Sequence, residues 1–379
     1  MLKKIVLGLA LLVVAGIIYI NYGRQPPAID PASVSYKMLQ PGPYEVRREQ
    51  LEVTDDSRPT PANGDYAGSD SRSFAVFIWS PKPGSVTAPQ PLLIYSHGFM
   101  STGEGGSYLA EHLASHGYVV AAPSFPLTNY DAPGKPNVKD VVNQPADVKF
   151  VIDRVLQWNA DPQHRLHQTI DAARIATAGL SLGGMTTTLV AYHPTLSDTR
   201  LKAAISIAGP SAMFSRAFFQ RRSLPFMMVA APEDAMVAYA DHAADISSKV
   251  DNAILTTIAG GSHTGFSSMA KWLRWTDNPD QIACDQLMQN IDLEEEAPWF
   301  DLLGTPEQGI VEIDASSMCA TSPLPKAINP LRQQQLNTLA VFGFLQCKLA
   351  TKPVERKRYC RFLLEQLPRE MAEVSVTGG

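Results

Sequence analysis

Gly179-Leu180-Ser181-Leu182-Gly183-Gly184 is the stretch on which the reading of this 379-residue chain turns. It follows the apolar run Arg174-Ile175-Ala176-Thr177-Ala178, long enough for a buried strand. It precedes Met185-Thr186-Thr187-Thr188-Leu189-Val190-Ala191-Tyr192, which suits a helix packed on a sheet. A strand, a tight Gly-x-Ser-x-Gly turn and a helix hold a serine out at the top of a sheet. Gly179 and Gly183 are small enough for so sharp a turn, and Gly184 lets the helix sit close to the strand. The N–H of Leu182, at the helix start, is left free to meet a developing negative charge.

The rest of the chain alternates strand-like and helix-like runs. Strands are expected at 44–52, 73–79, 91–96, 118–122, 174–178, 203–207, 224–230 and 253–258, and helices at 108–116, 145–158 and 330–349. That alternation implies a mostly parallel, doubly wound α/β sheet with helices on both faces. Residues 124–144, rich in Pro and Gly, are expected to arch over the site. The tail after Pro368 reads as frayed.

Two loops downstream of Ser181 carry the complementary chemistry. The strand at 226–230 runs into Ala231-Pro232-Glu233-Asp234, and the loop after a parallel strand is where catalytic groups sit. Asp234 is the expected acid, with Glu233 pointing elsewhere. The strand at 253–258 runs into Gly260-Gly261-Ser262-His263, which offers His263 as general base. Ser, then Asp, then His is a defined chain order. Upstream, Pro91-Leu92-Leu93-Ile94-Tyr95-Ser96 enters His97-Gly98-Phe99, where a second oxyanion donor is expected from the Phe99 N–H. Gly98 allows the backbone turn there, and His97 reads as a support for the loop. His164 and His167 sit in a polar loop without neighbouring ligands and read as surface residues.

These phrases, with Tyr108-Leu109-Ala110-Glu111-His112-Leu113 and Pro145-Ala146-Asp147-Val148, carry a resemblance. From about 43 to 266 the chain resembles the bacterial predicted dienelactone hydrolases, a branch of the α/β-hydrolases related to platelet-activating-factor acetylhydrolases and, more remotely, to cutinase-like polyesterases. The resemblance implies the α/β-hydrolase fold, with an insertion at 267–328 before the last helix. It implies a serine esterase acting on a small or lipid-like carboxylic ester, with no metal or cofactor. Amide or thioester cleavage and acyl transfer use the same triad and stay open, as does a non-catalytic envelope scaffold. Dienelactone hydrolases proper use cysteine where this chain has Ser181, and relatives often carry His where it has Leu180.

Composition limits the other choices. A net charge of −5 with no basic stripe gives nucleic-acid binding no support. Residues 5–20 are uncharged and almost wholly apolar behind Lys3 and Lys4, as in a secretory signal or an N-terminal membrane anchor. Export, membrane contact at residues 1–24 and a linker at 25–42 are therefore expected, with the catalytic domain at 43–379. Cys284, Cys319, Cys347 and Cys360 allow two disulfides in three connectivities. Glu294-Glu295-Glu296 reads as a solvated face.

Overall fold

The computed structural model describes residues 12–16, 19, 23–290, 299–313 and 316–379. Most of the apolar stretch at 5–20, and the acidic run Glu294-Glu295-Glu296, lie outside the described residues. Among the described residues no helix is long and apolar enough to cross a membrane.

The described strands form one nine-stranded sheet, in the spatial order β1-β2-β4-β3-β5-β6-β7-β8-β9. They are β1 (Val46–Asp55), β2 (Arg72–Pro81), β3 (Gln90–Ser96), β4 (Val119–Pro123), β5 (Ile170–Leu180), β6 (Leu201–Ile207), β7 (Phe226–Ala230), β8 (Ile254–Ile258) and β9 (Val374–Gly378). Strands β4, β3, β5, β6, β7 and β8 run parallel, while β1, β2 and β9 pair antiparallel at the two sides. The fold is the α/β-hydrolase architecture expected from the sequence.

Side-chain alternation explains why the central strands are almost continuously apolar. Along β3, Leu92 and Ile94 point into one core layer while Leu93 and Tyr95 point into the other. The first layer is filled by α2 (Gln144–Ala160), through Val148, Val151 and Ile152, and by α3 (Leu182–Tyr192), through Met185 and Leu189. The second is filled by α1 (Ser107–Ser115) and by a long helix, Pro330–Leu349. Helix α3 is buried on every side. Its three consecutive threonines are poor helix formers, yet Thr188 returns its hydroxyl proton to the Gly184 carbonyl, one turn back, and Thr186 shares its own between the Leu182 carbonyl and Gln144 Oε1. No buried hydroxyl in that pair is left unsatisfied.

The stretch 124–144 is fastened near its end by a buried charge cluster. Arg72, at the start of β2, is fully buried and bonds Asp147 at 2.7 and 2.8 Å and Asp140 at 2.6 Å. Burial alone disfavours the Arg72 cation, but Asp147 and Asp140 outweigh it and hold the guanidinium protonated. Removing the guanidinium leaves Asp140 buried without a cation, held by Asn143 alone, and leaves Asp147 with Arg58 as its remaining cation. Arg72→Ala is expected to destabilise the protein by about 3–5 kcal/mol, read from the denaturant midpoint. A loss below ~1 kcal/mol would mean that water reaches the two carboxylates.

Two expectations about the C-terminus are corrected. The tail after Pro368 is not frayed: β9 pairs with β8 along its whole length, from Ile254 opposite Gly378 to Ile258 opposite Val374. Nor is the long helix the last one, because a helix at Pro353–Arg361 follows and Cys347 is bonded to Cys360 across the turn. The stretch 25–42, expected as a linker, holds a short helix, Val34–Leu39, whose Ser35 and Met38 are buried. Glu370 accepts the N–H groups of Val34 and Ser35 and so ties this helix to the C-terminal region.

Candidate active site

The parallel strands deliver their loops to one edge of the sheet, and the expected residues stand on those loops. Ser181 lies between β5 and α3 at φ 57°, ψ −123°, a left-handed backbone that a non-glycine residue rarely adopts. Its neighbours hold it there. The Ser181 N–H donates to the Ile207 carbonyl at 2.8 Å, and the Ser181 carbonyl accepts from Gly184 N–H at 2.7 Å. The flanking glycines are required by crowding. A Cβ on Gly179 would stand 2.1 Å from the Gly183 oxygen, and one on Gly183 2.1 Å from the Ser96 oxygen. This is strain over-determined by its surroundings, as at functional turns.

The His97-Gly98-Phe99 loop comes directly against this turn. A Cβ on Gly98 would meet the Ser181 Cβ at 3.2 Å and its Oγ at 3.9 Å. His97 is buried and bonded at both ring nitrogens. Its Nε2 accepts the Phe125 N–H at 2.9 Å, so Nδ1 carries the proton and donates to the Gly98 carbonyl at 2.7 Å. Burial, opposed by the Gly98 bond, pushes its pKa down to about 4. A neutral His97 thus fixes the Gly98–Phe99 peptide. The N–H groups of Phe99 and Leu182 donate to no acceptor among the described residues.

Asp234 and His263 meet. His263 Nδ1 lies 2.7 Å from Asp234 Oδ2, with both side chains buried. The other carboxylate oxygen of Asp234 accepts the N–H groups of Met236 and Val237 at 2.8 and 2.7 Å. Desolvation lowers the His263 pKa, but the Asp234 charge, the hydrogen bond to it and the Asp280 charge raise it further, and the net direction is up. Glu233 points away from the imidazole and accepts the Gly260 N–H at 2.7 Å. The Ser181 hydroxyl and His263 Nε2 have no hydrogen-bond partner among the described residues, so the structure forms the Asp–His pair and does not form a Ser–His bond.

His242 and His164 are engaged elsewhere. His242 Nδ1 accepts the N–H groups of Ser211 and Ala212 at 3.0 and 3.1 Å. His164 stacks on Trp158 at 5.1 Å. Among the described residues no group of three or more His, Cys, Asp or Glu side chains is arranged to hold a metal ion.

Several supports of the His263 loop were not anticipated. Gln333, on the long helix Pro330–Leu349, accepts the Ser262 N–H at 3.0 Å and donates to the Ser262 carbonyl at 2.6 Å. Tyr108 donates to the Phe266 carbonyl at 3.1 Å. Asp280 opens a helix, Asp280–Asn290, and its carboxylate reaches the His263 N–H. The only local signal for Asp280 is Asn278-Pro279-Asp280, which marks a helix start. Described residues between 267 and 328 pack on the body of the fold. Ile310 pairs with Phe214, and Leu303 and Ile310 enter the first core layer. Cys284 is bonded to Cys319, whose N–H donates to the Ala235 carbonyl at 2.7 Å. The two disulfides fit an extracellular or periplasmic protein.

A family model described as "PETase: PET hydrolase-like" matches residues 78–275, which is 198 of the 379 residues. The match runs from within β2 to past the His263 loop. No curated protein matches the chain.

Proposed function

We propose, for a chain that belongs to this PET hydrolase-like family of ester hydrolases, that it cleaves carboxylic esters through a covalent acyl-enzyme on Ser181. The observation that carries the reading is the Asp234–His263 hydrogen bond, made on the same sheet edge at which Ser181 is held at positive φ. His263 Nε2 takes the proton as Ser181 Oγ attacks the ester carbonyl carbon. The Ser181–His263 hydrogen bond that this transfer needs is one that often tightens only with substrate bound. The carbonyl oxygen becomes an oxyanion that accepts from the N–H groups of Phe99 and Leu182. Its collapse breaks the C–O bond, and His263 returns the proton to the leaving alcohol. Water, deprotonated by His263, then releases the acid and restores Ser181. Asp234 keeps the proton on Nδ1 and supports the imidazolium.

Leu180 and Leu182 are buried beside the turn, and Phe99 packs on the first core layer. This apolar surrounding favours short-to-medium acyl or lipid-like esters. The test is a panel of p-nitrophenyl esters of increasing chain length, matched anilides and thioesters, and an aromatic polyester oligomer. Ester turnover well above anilide turnover is expected. Anilides turned over faster than esters would reassign the site to amide chemistry.

We also propose that the apolar stretch at 5–20 tethers the enzyme to a membrane, outside the cytoplasm. Cell fractionation of the full chain and of residues 24–379 tests this. An identical soluble distribution of both would remove the tether.

A further inference from the structure

Asp280 lies outside the stretch that the family model covers, and no step above uses it. It is fully buried. Its Oδ2 accepts the N–H of His263 at 2.8 Å and that of Ala235 at 3.2 Å, and its Oδ1 accepts the N–H of Thr264 at 2.7 Å. One carboxylate therefore holds the loop that carries His263 and the loop that carries Asp234. Among the described residues no cation accompanies it, and its partners are backbone amides. Burying a carboxylate costs several kcal/mol unless charge-assisted bonds offset it. Here three do so, and all three come from the two loops of the site.

The helix that Asp280 opens is itself clamped to the Asp234 loop. Asn278 accepts the Asp280 N–H at 2.9 Å and so fixes the first turn. Cys284, one turn along, is bonded to Cys319, which reaches Ala235 from the other side. An asparagine at 280 would offer one acceptor oxygen and turn its own N–H toward an amide donor. The site therefore calls for a carboxylate, and not merely for a polar side chain of that size.

We propose that Asp280 is a second positioning carboxylate of the site, one that fixes the His263 and Asp234 loops in register and places a negative charge behind the imidazole. The inference rests on the Ser181–His263–Asp234 reading above. Asp280 touches no substrate atom and carries no proton in the reaction. Its charge favours the imidazolium that forms when His263 takes the Ser181 proton. The charged and titratable groups around His263 are Asp234 at its Nδ1, Asp280 at its backbone and Glu233 on Gly260. The long helix presents the neutral Gln333, and His242 stands beyond Asp234.

The experiment compares the full chain with Asp280→Asn and Asp280→Glu. The His263 imidazole is titrated by NMR with labelled histidine, and kcat and KM are measured on p-nitrophenyl acetate. In Asp280→Asn the titration is expected to fall by roughly half to one pH unit, with kcat down about tenfold and KM within about twofold. Asp280→Glu should return the titration to the wild-type position while kcat stays lowered. An unmoved His263 titration in folded Asp280→Asn overturns the proposal. If Asp280→Asn does not fold, Asp280→Glu decides. A wild-type titration with lowered kcat supports the role, and a lowered titration with the carboxylate retained overturns it. A wild type that turns over no ester defeats the Ser181 reading instead, and the His263 titration still judges Asp280.

Discussion

Ser181→Ala is expected to lower kcat for ester hydrolysis by on the order of 10⁴-fold or more, with the melting temperature unchanged. Both halves follow from the turn. The hydroxyl is the proposed nucleophile, so its loss removes the acyl-enzyme route. The fold does not depend on it: Ser181 is held by its backbone N–H and carbonyl, which alanine retains. Alanine also keeps the same Cβ at φ 57°, so the strain of the turn is no greater. Steady-state kinetics beside a thermal melt make the test. Activity within tenfold of wild type would place the nucleophile elsewhere.

The second large effect is expected from Asp234→Asn, about 10⁴-fold in kcat at neutral pH. The geometry forces the outcome. One carboxylate oxygen of Asp234 already accepts two N–H groups, from Met236 and Val237, so the asparagine oxygen must take that side. Its NH2 group then faces His263 Nδ1. That nitrogen must become an acceptor, which moves the proton to Nε2, where the Ser181 proton has to go. The pH profile changes with it. Asp234 and Asp280 outweigh desolvation and raise the His263 pKa above the ordinary 6.5, so the acidic limb of kcat/KM in wild type is expected above that value. In Asp234→Asn the limb moves down. The sign for stability is the opposite of that for activity. A raised folded pKa stabilises the protein fully below the unfolded value, and this contribution fades as pH rises through the folded one. A kcat/KM limb at or below 6.5 in wild type would mean that the Asp234 charge does not reach the imidazole.

The sequence made the central sheet legible because buried parallel strands contain short apolar runs bounded by turns, and β3 to β8 each contain one, which in β5 is only its second half. The candidate site residues stood out in the sequence for a related reason. Ser181 follows such a run directly and Asp234 and His263 lie four and five residues beyond one, on loops at the ends of parallel strands. Edge strand β9 was not legible. Val374-Ser375-Val376-Thr377 alternates as a strand should, but it ends in Gly378 and is largely solvated, where β4, β7 and β8 of the same length are buried apolar runs, so only its pairing with β8 defines it. Asp280 was hidden more deeply. Its role is a contact to the backbone of a residue 17 positions earlier, and no local pattern marks a carboxylate that serves another loop's amides. The buried Arg72 cluster was missed in the same way, since Asp140 and Asp147 lie 68 and 75 residues further along the chain.

The measurement that tests the central claim most directly is reaction of the purified protein with a fluorophosphonate, followed by peptide mass mapping. The account predicts one phosphonyl adduct, on Ser181, formed by the wild type and lost in His263→Ala. Ester hydrolysis that continues with Ser181 unmodified, or an adduct on a different serine that stops it, would contradict the account.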